Sequence, residues 1–194
     1  MTDEKPTRRR NAEETRSAIL ASARRAFAES GYDGAGLRGI AEAAGVTAMM
    51  VGRYFGSKEQ LFAEVVADTM RDPVILSADN LGSPRMAREF ARALVGLSTP
   101  GQAVLDGFRV MWASGGSEVA ARIAREQIMA VHHATAQGLV RGDHAPQRAA
   151  ILLSLVAGVQ LMRQQIGLPA LADADPEVLA GLLEPVIAVV LGVA

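Results

Sequence analysis

Residues 35–62 read AGLRGIAEAAGVTAMMVGRYFGSKEQLF, and they hold the side chains whose types and spacing can do chemistry. Thr47, Arg53 and Tyr54 bring two hydroxyls and a guanidinium onto one short segment, with Arg38 and Lys58 on its flanks. A hydroxyl donates to a phosphate oxygen, and a guanidinium forks onto the O6 and N7 edge of guanine. Ala48, Met49, Met50 and Gly52 lie between them and carry nothing polar. Met49 and Met50 admit two readings, contact with thymine methyl groups or packing into a core. Upstream, Arg8-Arg9-Arg10 is either a basic arm for a minor groove or a solvated tail.

Two short helices must hold these groups. Leu37, Ile40, Ala41 and Ala44 fall at helical spacing and make one apolar face. Ala41 is small where a second helix has to cross. Gly45 ends the first helix, because a left-handed corner residue is least strained as glycine. Thr47 then caps the second helix, with Val46 and Val51 plugging it onto the first. Two helices at a glycine corner, the second offering donors outward, is the geometry that places a helix in the major groove of DNA.

At this point the sequence resembles the TetR family of bacterial repressors, over about Thr15 to Val66. The resemblance rests on Ile19-Leu20, Ala23, Phe27, Gly31-Tyr32, Leu37-Arg38, Ile40-Ala41, Ala44-Gly45-Val46, Tyr54-Phe55, Ser57-Lys58-Glu59 and Leu61-Phe62. It implies an all-α fold of about nine helices, with a three-helix DNA-binding domain carrying a helix-turn-helix and a larger helical domain for ligand sensing and dimerisation. It also implies that Arg38 contacts phosphate or a base and that Lys58 touches the backbone. The chain departs from the family where a Thr is usual and Met50 stands, and where a Tyr is usual and Gly52 stands. Gly52 costs about 1 kcal/mol of helix propensity relative to alanine.

Charge agrees with that division. Lys5 to Lys58 holds ten basic and five acidic residues, whereas Glu59 to Ala194 holds ten basic and fourteen acidic, within a net charge of −1. Phosphate attraction follows local charge. There is no cysteine, hence no disulfide framework and no thiolate site, as in a reducing cytoplasm. The N-terminal segment lacks the apolar stretch of a secretory signal. The expected organisation is a flexible basic arm over 1–11, a DNA-binding domain over 12–57, and a ligand-binding and dimerisation domain over 58–194.

No strand pattern occurs. After a first helix over Ala12–Ser30 and the two described above, a fourth is capped by Ser57 and ended by Pro73. Further helices are expected over Pro84–Leu97, Gly101–Ala113, Glu118–Leu139, Pro146–Ile166 and Pro176–Val193, with glycine and proline breaks between them. The last two are apolar nearly all round and must be covered on all sides. A membrane span needs about 20 apolar residues, and these runs are interrupted by Arg163 and by Glu184-Pro185. A partner subunit is the better cover, so a homodimer through these two helices is expected. Pro185 should kink the last one. Two reading helices on a twofold axis would meet palindromic half-sites about 34–36 Å apart, or a multiple.

The resemblance places a small-molecule site in the larger domain. Phe108, Met111, Trp112, Ile128, Met129, His132 and Met162 are its candidate lining, with plain core packing as the alternative for each. Few charges fall on these stretches, so a largely apolar effector is expected. His132 and His133 point to different helix faces, and neither they nor His144 join carboxylates at ligand spacing, so no metal is expected. No cofactor is called for. An enzyme is the competing class, but no nucleophile–histidine–acid arrangement or phosphate loop can be assembled. Glu118 and Glu126 on one helix read as a solvated face. A helical protein-interaction module with impaired DNA binding is the other alternative.

Overall fold

The computed structural model describes residues 4–69, 85–101 and 106–194, and the side chains from residue 11 onward within them except that of Asp106. Among the described residues all regular structure is helical. The elements are α1 (Glu4–Gly34), α2 (Leu37–Ala43), α3 (Ala48–Phe55), α4 (Lys58–Thr69), α5 (Met86–Leu97), α6 (Asp106–Ala113), α7 (Glu118–Ile128), α8 (Ala134–Leu139), α9 (Ala145–Gln160), α10 (Pro169–Ala172) and α11 (Pro176–Leu191). The helix end expected at Pro73 and the break at Gly82-Ser83-Pro84 lie outside the described residues, as do the side chains of Arg8, Arg9 and Arg10.

Contacts divide the chain into two compact units. One joins residues 1–69 to 105–127, and the other joins 70–104 to 128–194. In the first unit Ile19, Ala23 and Phe27 of α1 meet Leu61, Phe62, Val65 and Val66 of α4, all at 1% exposure or less. Phe27 and Phe62 meet edge to face at 5.0 Å, and Tyr32 and Phe62 do so at 5.1 Å. Aromatic pairs prefer this geometry. The bend of α1 at Gly31 (φ 67°) brings its backbone against α6, where a Cβ would lie 2.2 Å from the Ala113 carbonyl oxygen. The Tyr32 amide donates to Ser114 Oγ at 3.0 Å beside this contact.

In the second unit α5 packs Met86, Phe90, Ala91, Leu94 and Val95 inward, and α11 contributes Leu179, Leu183, Ile187 and Leu191. Arg88–Glu184 at 2.9 Å and Arg92–Glu177 at 2.7 Å flank the seam. Both pairs are open to water and add little stability.

Three features of these helices add to the sequence reading. The helix starting at Glu4 takes in most of the expected arm over 1–11, since its one proline, Pro6, sits in the first turn where a missing N–H is harmless. The expected helices over 118–139 and 146–166 each contain a π turn, Met129–His133 and Leu161–Gln165. An extra residue in a turn changes which side chains face inward, and apolar spacing does not reveal it. Here it accompanies a buried His133 bonded to the Pro146 carbonyl oxygen at 2.9 Å and a buried Arg163. Finally, α11 runs through Pro185 without leaving helical structure. The Gly181 carbonyl that loses its donor lies on an exposed turn, where water can serve it.

One stretch, Ala145–Gln165, is long and apolar enough by length and composition to cross a membrane. Its inward residues Ala149, Leu152 and Arg163 are instead buried within this unit.

Candidate nucleic-acid interface

The turn between α2 and α3 is a Schellman close. The Val46 amide donates to the Ala41 carbonyl at 2.9 Å and the Gly45 amide to the Glu42 carbonyl at 3.0 Å. Gly45 holds φ 68°, in the left-handed region. Thr47 then caps α3, its Oγ1 accepting from the Met50 amide at 3.4 Å. Val51 and Phe55 anchor α3 inward, with Ile40 and Ala41 buried on α2. The Arg16 guanidinium lies 4.8 Å from the Phe55 ring centroid and pairs with Glu64.

Burial of Val51 and Phe55 dictates what α3 presents. At 100° per residue, Met49 and Arg53 point away from the core, with Met50 and Gly52 on the shoulders. Met49 is 84% exposed and Met50 36%. Arg38, Thr47, Ala48 and Arg53 are exposed, and Gly52 and Tyr54 half-buried. Met49 is therefore not a core side chain, whereas about two-thirds of Met50 is covered by the fold. Among the described residues Arg38 and Arg53 have no protein partner for their guanidinium groups, so both are available to an anion or a base edge.

Lys58 is placed differently. Its Nζ donates to the Asp33 carbonyl at 3.4 Å and sits 4.7 Å from the Tyr32 ring centroid. Burial, together with Glu59 and Asp33, holds the Tyr32 phenol above its ordinary pKa. Lys58 follows a reciprocal cap: the Gln60 amide donates to Ser57 Oγ at 3.1 Å, and the Ser57 amide to Gln60 Oε1 at 2.9 Å. That capping box sets the first turn of α4 beside the reading helix.

The residues expected to line a sensor site divide between the two units. Phe108, Met111 and Trp112 belong to the first, and Ile128, Met129, His132 and Met162 to the second. Phe108, Met111, Ile128 and His132 are half-buried, whereas Trp112, Met129 and Met162 are exposed. Burial alone pushes the His132 pKa down, which favours the neutral ring.

Sequence reasoning missed two buried polar groups near these residues. Gln160 is 2% exposed, with neither amide atom bonded. Arg163, also 2% exposed, is held by oxygens alone: the Leu171 carbonyl at 2.9 Å, the Val95 carbonyl at 2.6 Å and Ser98 Oγ at 2.7 Å. Desolvation draws its pKa below the usual guanidinium value. Polar residues inside an apolar helix were the available signal. Among the described residues no group of histidine and carboxylate side chains is gathered to hold a metal ion.

A capped reading helix, set by a glycine corner and flanked by exposed guanidinium groups, defines a DNA-binding transcriptional regulator of the helix-turn-helix class. Residues 19–65 match the model for bacterial regulatory proteins of the tetR family, and residues 85–191 match the tetracyclin repressor-like C-terminal domain. The second match alone spans more than half of the chain, and the chain belongs to the TetR family.

Among curated proteins it is similar to the HTH-type transcriptional repressor AcnR of Corynebacterium jeikeium (strain K411), with 41% identity over 61 residues. That stretch is 31% of this chain and 32% of the relative, so the match spans about a third of AcnR. Among solved structures, a transcriptional regulator from Rhodococcus sp. Rha1 has a TM-score of 0.62 at 28% identity, covering 91% of this chain and 96% of that one. A TetR-family regulator from Streptomyces coelicolor A3 has a TM-score of 0.63 at 24% identity, covering 93% and 96%.

Proposed function

We propose that the chain is a ligand-responsive repressor that binds a palindromic operator as a homodimer. Residues 12–57 do the reading, and 58–194 do the sensing and pairing. One observation carries the dimer. Val178, Leu182, Val186 and Val189 are 48–66% exposed and form a stripe on α11 opposite its buried face, with Ile151 of α9 exposed at 55%. A row of large aliphatic side chains in water is unfavourable and marks an interaction surface. A second copy fits, because a twofold partner presents the same apolar stripe in return.

The DNA contacts in this reading are Arg38, Thr47, Ala48, Met49, Met50, Gly52, Arg53, Tyr54 and Lys58. Lys58 reaches a phosphate by giving up its Asp33 and Tyr32 contacts. A small, largely apolar effector is sensed in the larger helical domain and alters the spacing of the two reading heads. The protein works where its operator is, in the cytoplasm.

The test is sedimentation of the purified chain together with a gel shift on the DNA upstream of its own gene. A dimer that shifts this DNA and releases it with a small molecule supports the reading. A dimer that ignores every duplex in low salt favours the interaction module. A monomer at working concentration overturns the proposal.

A further inference from the structure

We infer that the reading helix recognises the 5-methyl groups of thymine through Met49, with Arg53 one turn later taking a guanine in the same half-site. This rests on the DNA-binding reading and adds which base features are read.

Three observations carry it. Met49 and Arg53 share the outermost line of α3, because Val51 and Phe55 occupy the opposite one. Met49 is 84% exposed, more than any other large apolar side chain among the described residues. The third observation is Gly52. A Cβ built there would meet nothing within 4 Å, so packing inside the fold does not demand glycine. Its φ lies outside the left-handed region, so the backbone does not demand it either. Inside a short helix, glycine is unfavourable. On the shoulder of α3 the missing side chain leaves room for a groove wall, which lets the helix seat more deeply. A deep-seated helix brings the flexible Met49 thioether against methyl groups.

Thymine is the base whose major-groove edge carries a methyl, and guanine is the one that offers two acceptors to a guanidinium fork. Arg38 and Arg53 supply the charge that draws this otherwise apolar face onto a polyanion. Four residues of helix rise about 6 Å, and base pairs rise about 3.4 Å. Thymine and guanine should therefore fall about two steps apart in each half-site.

The experiment starts with duplexes selected by the full-length protein from a random pool. Each selected thymine in a half-site is then replaced by deoxyuridine, which removes the methyl and nothing else. One methyl lost from contact corresponds to about a fourfold loss of affinity per half-site. Met49→Ala should bind thymine and deoxyuridine duplexes alike, and Met49→Leu should keep the preference. Gly52→Ala should match or exceed the wild-type melting temperature yet bind the selected duplex more weakly. Tight binding with no distinction between thymine and deoxyuridine overturns the inference and leaves DNA binding standing. A thymine preference that survives in Met49→Ala overturns the assignment to Met49. Failure to enrich any duplex removes the DNA-binding reading beneath it.

Discussion

Replacing Leu182 with glutamate tests whether α11 is the coupling surface. Leu182 is 66% exposed in the single chain. Full burial of a leucine stabilises by roughly 1.5–3 kcal/mol, so covering the exposed two-thirds should contribute roughly 1–2 kcal/mol. A twofold axis counts each residue twice, which makes roughly 2–4 kcal/mol per dimer. At about 1.4 kcal/mol per decade the dimer dissociation constant should rise roughly 30- to 1,000-fold, before any penalty for an unpaired carboxylate in the interface. The single chain should still fold, because glutamate is a good helix former and the site faces water there. Sedimentation over a protein dilution series reads the constant, and circular dichroism confirms helicity. Gel shifts on full and half palindromes connect the loss to DNA. A variant that dimerises like wild type refutes the reasoning, whatever its DNA affinity.

Three further outcomes are expected. Gly31→Ala should destabilise the first unit by at least about 1–3 kcal/mol in chemical denaturation, from its left-handed backbone alone, with the Ala113 carbonyl adding a clash that the backbone cannot easily relieve. Gln160→Met should raise the melting temperature of the ligand-free protein, since an unbonded buried amide costs about 1–3 kcal/mol; a fall would mean that the amide has a partner. The His132 pKa is lowered by burial in the folded state, so the unfolded chain binds that proton more readily. Stability should therefore fall as the pH drops below the ordinary histidine value of 6.5. His132→Gln should flatten that slope in urea titrations between neutral and mildly acidic pH.

The corner at Gly45, the cap at Thr47, the plug at Val51 and the cap at Ser57 were all legible in the sequence. Each depends on residues close along the chain, whose hydrogen bonds and contacts lie within the run from α2 to the first turn of α4. Apolar spacing likewise located the stretches that became α5, α7, α9 and α11, because helix period is a property of the chain alone. What spacing could not tell is which of two apolar faces looks inward. In α11, Leu179, Leu183 and Ile187 are buried and Val178, Leu182 and Val186 are not, although the two rows are chemically alike. That assignment needed α5 packed against one row.

The same holds for the polar surprises. Sequence showed Lys58 beside the reading helix, but only the approach of Asp33 and the Tyr32 ring turned its ammonium back onto the fold. Arg163 read as an interruption in an apolar run. It is a buried cation because carbonyls and a hydroxyl from α5 and α10, distant along the chain, converge on it. Local hydrogen bonding and periodicity are written into short stretches of residues. Burial, pairing and the choice of inner face depend on what other segments bring to the same place, and tertiary packing alone decides that.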